Sequence, residues 1–126
     1  MNTNYRGDFS ELLVMASAIS AGHAVARVYG NSKPFDLLVE MADGTWIRVQ
    51  VKTVLMRRKN KFIPCQRSKS VTRVKRDRRY SSGAFDILAG VDEKGEVRLI
   101  QLGHLGGRTQ VDWNDSRLTS VWDRLL

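Results

Sequence analysis

The chain has 126 residues, 42% of them hydrophobic, enough for one modest core and too apolar for a disordered chain. It has no apolar run near the ~20 residues of a membrane helix. Its start, Met-Asn-Thr-Asn-Tyr-Arg-Gly-Asp, lacks the apolar stretch of a signal peptide, so we expect an intracellular protein with a single domain over 1–126 and no membrane partner.

A lone cysteine, Cys65, excludes an internal disulfide and a cysteine-based zinc site. The net charge is +8, and its distribution is uneven. Residues 57–79 hold 11 of the 21 Lys and Arg residues and one acid, Asp77, so this segment carries +10 and the rest of the chain −2. A near-neutral body with one basic segment is the electrostatic footprint of a nucleic-acid binder; a solvated loop without a partner is the plainer reading. The candidate DNA contacts are Arg57, Arg58, Lys59, Lys61, Arg67, Lys69, Arg73, Lys75, Arg76, Arg78 and Arg79.

In chain order, residues 8–21 read as a helix. Asp8 suits an N-cap, Glu11 stands where a capping-box glutamate belongs, and Gly22 is placed to stop the helix. Phe9, Leu12, Leu13, Ala16 and Ile19 recur at helical spacing and predict the buried face. Residues 24–29 predict a short strand. Residues 30–34 form a loop by composition. Residues 35–41 and 46–54 predict two strands joined at Asp43-Gly44, a strong hairpin signal. In the second strand Ile47, Val49, Val51 and Thr53 share one face, and Trp46, Arg48, Gln50 and Lys52 share the other.

Beyond that, residues 62–65 suggest a short edge strand, because Pro64 argues against a central one. Residues 66–79 leave helix and ordered loop open, and residues 80–83 suggest a turn. Residues 85–91 and 96–102 predict a second strand pair joined by Asp92-Glu93-Lys94-Gly95. A last helix is expected over 116–126, capped by Asn114 or Asp115, with Leu118, Val121, Trp122 and Leu125 on one face. The order predicts an α/β fold, a mixed central β-sheet flanked by α-helices.

One stretch carries chemistry. Asp36 opens the first strand of the hairpin, and Gln50 and Lys52 lie two residues apart near the end of the second. A carboxylate, an amide carbonyl and an ammonium converging there suit a divalent metal held against a phosphate. The backbone carbonyl of Val51 is a further candidate ligand. Glu11 either caps its helix or supplies a second carboxylate.

Glu11 on an N-terminal helix, Gly22 before an apolar-basic strand, Pro34-Phe35-Asp36, and Gln50-Val51-Lys52-Thr53 after a hairpin resemble the core of the PD-(D/E)XK nuclease superfamily. The nearest variants are group I intron-encoded homing endonucleases and archaeal-type Holliday junction resolvases. The resemblance covers about residues 8–54 and implies a restriction-endonuclease-like core. It implies that Asp36 and Gln50 bind the metal, that Glu11 is an additional acidic member of the site, and that Lys52 is the catalytic lysine; with the Val51 carbonyl, these hard oxygens suit Mg²⁺, with Mn²⁺ as a substitute. Gln50 departs from the pattern, which usually has Asp or Glu there.

The first expectation is a metal-dependent DNA endonuclease of the sequence-specific homing type, with base contacts from 57–79, including Gln66, Arg67, Ser68 and Thr72. The alternatives are a structure-specific Holliday junction resolvase and a non-catalytic DNA-binding relative. Tyr80 beside the basic block is a candidate base-stacking residue. A chain this small holds one site, and cutting both strands of a duplex or a branched DNA needs two. The expected assembly is therefore a homodimer or a higher even-numbered oligomer, with Trp122 on the C-terminal helix as a candidate interface.

Overall fold

The computed structural model describes residues 2–30, 32–65 and 83–125. Arg67, Lys69, Arg73, Lys75, Arg76, Arg78 and Arg79 lie outside the described residues, as do Gln66, Ser68, Thr72 and Tyr80.

Helix α1 spans Thr3–Ser20. It starts five residues earlier than expected, because Asn2 is the N-cap and its side-chain oxygen accepts from the Tyr5 N–H at 3.1 Å. Asp8 and Glu11 therefore sit inside the helix and cap nothing. Gly22 does end it: at φ +95° it lets the His23 N–H reach the Ala18 carbonyl at 3.0 Å, the six-to-one bond of a Schellman motif.

The predicted buried face is largely inverted. Ser10, Val14 and Ala18 are buried and Leu13 and Met15 partly so, whereas Phe9, Leu12, Ala16 and Ile19 are exposed. The small residues let α1 lie close on the sheet, where Ser10 Oγ and Thr53 Oγ1 hydrogen-bond at 2.9 Å.

Beneath α1 lies a mixed five-stranded sheet of β1 (Val25–Arg27), β2 (Leu37–Glu40), β3 (Trp46–Thr53), β6 (Ile87–Val91) and β7 (Val97–Gln101), in that order. The β3–β6 pair is parallel and the others antiparallel. The predicted alternation in β3 holds: Ile47, Val49 and Val51 are buried on the α1 side with Leu37, Val39, Ile87, Ala89 and Val14. Asp43 and Gly44 sit in the turn between β2 and β3, where Asp43 Oδ1 accepts from the Thr45 N–H and Gly44 takes φ +85°. The second expected turn also forms: Asp92 Oδ1 accepts from the N–H groups of Lys94 and Glu96.

The other face of β6 and β7 is covered by a second, three-stranded sheet that the sequence did not announce. Its strands are β4 (Leu55–Arg57), β5 (Asn60–Pro64) and β8 (Gln110–Asp112), in the order β4-β5-β8. Ile63, Val111 and Trp113 pack there on Leu88, Ile100 and Phe85. The strand containing Pro64 is thus central in its small sheet, not an edge. Pro64 is its last residue, and the next N–H, that of Cys65, donates to Thr109 at 2.9 Å.

The expected C-terminal helix is absent among the described residues. Thr119 instead makes a two-bond bridge with Leu99, and only a short 3₁₀ turn, Trp122–Leu125, follows. Trp122, 2% exposed, is inside its own core, with its indole N–H donating to Ser17 Oγ at 2.9 Å, so it is no interface residue. Among the described residues the α-helix that flanks the mixed central sheet is α1, and no helix is long and apolar enough to cross a membrane.

Candidate active site

The site forms where β3 outruns β2. The β2–β3 register ends with Leu37 opposite Val49, and β3 continues for four more residues against β6. Asp36 stands at this notch and is pinned on both sides: its N–H donates to the Val49 carbonyl and its carbonyl accepts from the Val28 N–H, both at 2.9 Å. Its Oδ2 accepts from the Val51 N–H at 2.9 Å, a side chain taking the place of a missing strand. The N–H and C=O of one strand residue point to the same edge, so the Val51 carbonyl is directed to the side of β3 where Asp36 lies.

Continuing the register by one residue puts Gln50 opposite Asp36. Gln50 and Lys52, both half-buried, share the face of β3 turned away from α1. Lys52 is close enough to stabilise the ionised Asp36. Glu11 reaches the same notch from α1, and the Ser10–Thr53 hydrogen bond fixes the helix one residue away. Glu11 and Asp36 line a cleft of about 310 Å³ with Arg27, Val28, Tyr29 and Gly30. The structure thus brings Glu11, the Val51 backbone and Lys52 to Asp36, whereas Gln50 is placed beside it by strand register and does not line the cleft.

Burial first, then the charge of Asp36, pushes the Glu11 carboxyl above the ordinary range; Arg27 opposes this. Burial likewise pushes Asp36 up, against the Val51 N–H, Lys52 and Arg27. Two half-buried carboxylates repelling each other across a cleft make an environment short of positive charge. Arg27, on β1, supplies some of it: its guanidinium lies 3.5 Å from Glu11 and 3.9 Å from Asp8. Sequence reading did not single out Arg27, since its place at the cleft depends on β1 pairing with β2.

The donor set is hard oxygen, which suits Mg²⁺ or Mn²⁺. Among the described residues no three His, Cys, Asp or Glu side chains converge, so any cation here would rest on two carboxylates and neutral oxygens.

Of the described basic residues, Arg57, Arg58 and Lys59 are exposed on the β4–β5 hairpin. Arg58 and Lys59 turn the chain at φ +51° and +69°, an uncommon conformation for residues with side chains. Lys61 differs from expectation. Its ammonium is paired with the exposed Glu93 at 2.6 Å and the buried Asp92 at 3.4 Å, so its charge is largely answered. Asp86, which follows Phe85 as Asp36 follows Phe35, is structural: it accepts from the Arg48 guanidinium and from the Arg48 N–H at 2.7 Å.

The family model of PD-(D/E)XK endonucleases matches residues 1–99. The chain belongs to the PD-(D/E)XK endonuclease family. A bacterial homing endonuclease, I-Ssp6803I, has the same fold: the alignment covers 93% of this chain and 82% of that one, with a TM-score of 0.77 and 20% identity. No curated protein matches the chain in sequence.

Proposed function

We propose that this chain is a metal-dependent, sequence-specific DNA endonuclease of the homing type, acting as one domain with a basic arm at 57–79 and as an even-numbered homo-oligomer inside the cell. The observation that carries the reading is the hydrogen bond from the Val51 N–H to Asp36 Oδ2, which holds a half-buried carboxylate beside Lys52 and Glu11.

In this reading Asp36, Glu11, the Gln50 amide oxygen and the Val51 carbonyl hold Mg²⁺ (or Mn²⁺). The bound cation would supply positive charge to a pentacovalent phosphate and to the departing oxygen. Lys52 orients the attacking water and stabilises the charge that develops on the phosphate. The exposed Arg57, Arg58 and Lys59 meet the DNA backbone or bases, together with the basic residues beyond Cys65.

A second reading, a DNA-binding relative that does not cut, is favoured by one observation. Gln50 leaves the donor set one carboxylate short, and no third acid replaces it among the described residues.

Incubation with plasmid and with a four-way junction, each in Mg²⁺ or EDTA, separates these readings. We expect Mg²⁺-dependent cleavage of duplex sites that disappears in Lys52→Ala while binding persists. Cleavage of the junction in preference to duplex assigns the resolvase activity instead. Binding without cleavage of either DNA in Mg²⁺ selects the non-catalytic reading.

A further inference from the structure

The exposed apolar residues of α1 are not scattered. Tyr5, Phe9, Leu12, Ala16 and Ile19 repeat at alternating spacings of four and three, forming one stripe along the helix. Tyr5 is 65%, Phe9 49%, Leu12 59% and Ile19 59% exposed, on the side opposite the buried Ser10, Val14 and Ala18. Large apolar residues have been placed outward while small ones face the sheet.

We propose that this stripe docks the same stripe of a second copy, the two α1 helices running antiparallel with Leu12 near the two-fold axis. Three observations select that occupant. The first is area. These five residues offer roughly 500 Å² of apolar surface per copy, and about 1,000 Å² in the pair is near the lower limit of a specific interface. The second is shape. Antiparallel crossing at Leu12 sets the bulky half of one stripe, Tyr5 and Phe9, against the smaller half of the other, Ala16 and Ile19. The third is charge. The helix carries one cation, Arg6, against Asp8 and Glu11, which does not suit an anionic lipid surface or DNA.

Symmetry links the interface to the candidate site. Asp8 and Glu11 lie along one flank of the stripe, beside the cleft with Arg27. A two-fold axis perpendicular to antiparallel helices keeps equivalent flanks on the same side of the dimer. Both clefts then open towards one duplex. Parallel helices would turn the two flanks to opposite sides. This use of the dimer rests on the nuclease reading; the docking itself does not.

Light scattering and cysteine cross-linking of the full chain test the interface. The parent should have twice its 14.3 kDa mass at tens of micromolar. The double variant Leu12→Glu, Ile19→Glu should be monomeric with unchanged circular dichroism, because both positions are exposed. Leu12→Cys should cross-link to itself on mild oxidation. Phe9→Cys should cross-link poorly to itself and well to Ala16→Cys. A parent of 14.3 kDa both alone and with duplex DNA overturns the proposal, as does a double variant that stays dimeric. Self-linking of Phe9→Cys as efficient as that of Leu12→Cys overturns the antiparallel pairing. If the parent dimerises and cross-links as stated but cuts no DNA, the nuclease reading fails and the interface stands. If the parent cuts, the monomeric variant should nick plasmid in place of linearising it.

Discussion

Asp36→Asn is expected to stabilise the fold relative to the parent in EDTA, and, on the proposed reading, to lose that advantage when Mn²⁺ is added. Asparagine keeps the shape and an oxygen that can accept from the Val51 N–H, so the 2.9 Å bond survives as a neutral one. Replacing a charge-assisted hydrogen bond by a neutral one costs about 1 kcal/mol. Against this, the variant removes a half-buried charge and its repulsion with Glu11. The sign in pH follows from the raised carboxyls. Each binds its proton more tightly folded than unfolded, so stability falls as pH rises from the ordinary carboxylate range through the folded value. Above that window the cost of both charges is fully present, and Asp36→Asn should gain most there. In EDTA at neutral pH the variant should be the more stable of the two, by no more than about 1 kcal/mol, and its advantage should vanish on acidification.

Binding of a cation to the folded parent alone adds RT ln(1 + [L]/Kd), about 1.4 kcal/mol at ten times the dissociation constant. For 126 residues, 1 kcal/mol moves the melting temperature by about 4 °C, so Mn²⁺ should raise the parent by about 5 °C and the variant hardly at all. Thermal melts in EDTA and in Mn²⁺ across the acidic range read all of this. A variant several kcal/mol less stable in EDTA would make Asp36 a structural anchor of β3, and equal Mn²⁺ shifts in both proteins would remove it from cation binding. Either result refutes the reasoning.

Gly7→Ala should stabilise by about 0.5–1 kcal/mol in chemical denaturation, since Gly7 is inside α1 and an added methyl meets nothing. Gly90→Ala should cost about 1–3 kcal/mol by the same measurement, because its Cβ would lie 2.6 Å and 2.7 Å from Ile63 atoms and 3.0 Å from Trp113. Cys65, whose thiol burial pushes up to about 11, should react with a thiol reagent at pH 8 only as the chain unfolds.

The proximity of the candidate site residues was more legible than the strands and caps around them. Asp36, Gln50 and Lys52 are tied by strand periodicity and hairpin geometry, both local, and the β2–β3 register keeps them together. Helix α1 was misread where its contacts are non-local. Hydrophobic spacing points to Phe9, Leu12 and Ile19, but the helix is bound to the sheet by Ser10 to Thr53 and by Ser17 to Trp122, partners 43 and 105 residues away. The β4–β5 hairpin was hidden because Arg58 and Lys59 occupy positive-φ positions where Asn or Gly would have signalled a turn. Strand β8 has three residues and gains its pairing from β5, some fifty positions earlier. The C-terminal segment has a helical apolar pattern, yet both backbone groups of Thr119 pair with Leu99, 20 residues earlier, a contact that no local pattern announces.

Gln50 and Glu11 are best considered together. A sequence that surrenders a carboxylate at the end of β3 weakens its hold on a divalent cation unless another acid arrives. Had α1 begun at Asp8, Glu11 would have been occupied at a helix terminus. Because Asn2 caps the helix, Glu11 stands a full two turns in, free to face the notch from the flank held by Ser10 and Thr53. Its raised carboxyl, and the long 3.5 Å contact with the exposed Arg27, describe an acid only loosely satisfied by protein. On the proposed reading, a cation would displace that guanidinium from Glu11 and leave Arg27 at the mouth of the cleft, able to meet a phosphate. The same helix would then carry the compensating ligand on one flank and the dimer contact on its outer face. A change in α1 should therefore disturb metal affinity and assembly separately, according to which side of the helix it strikes.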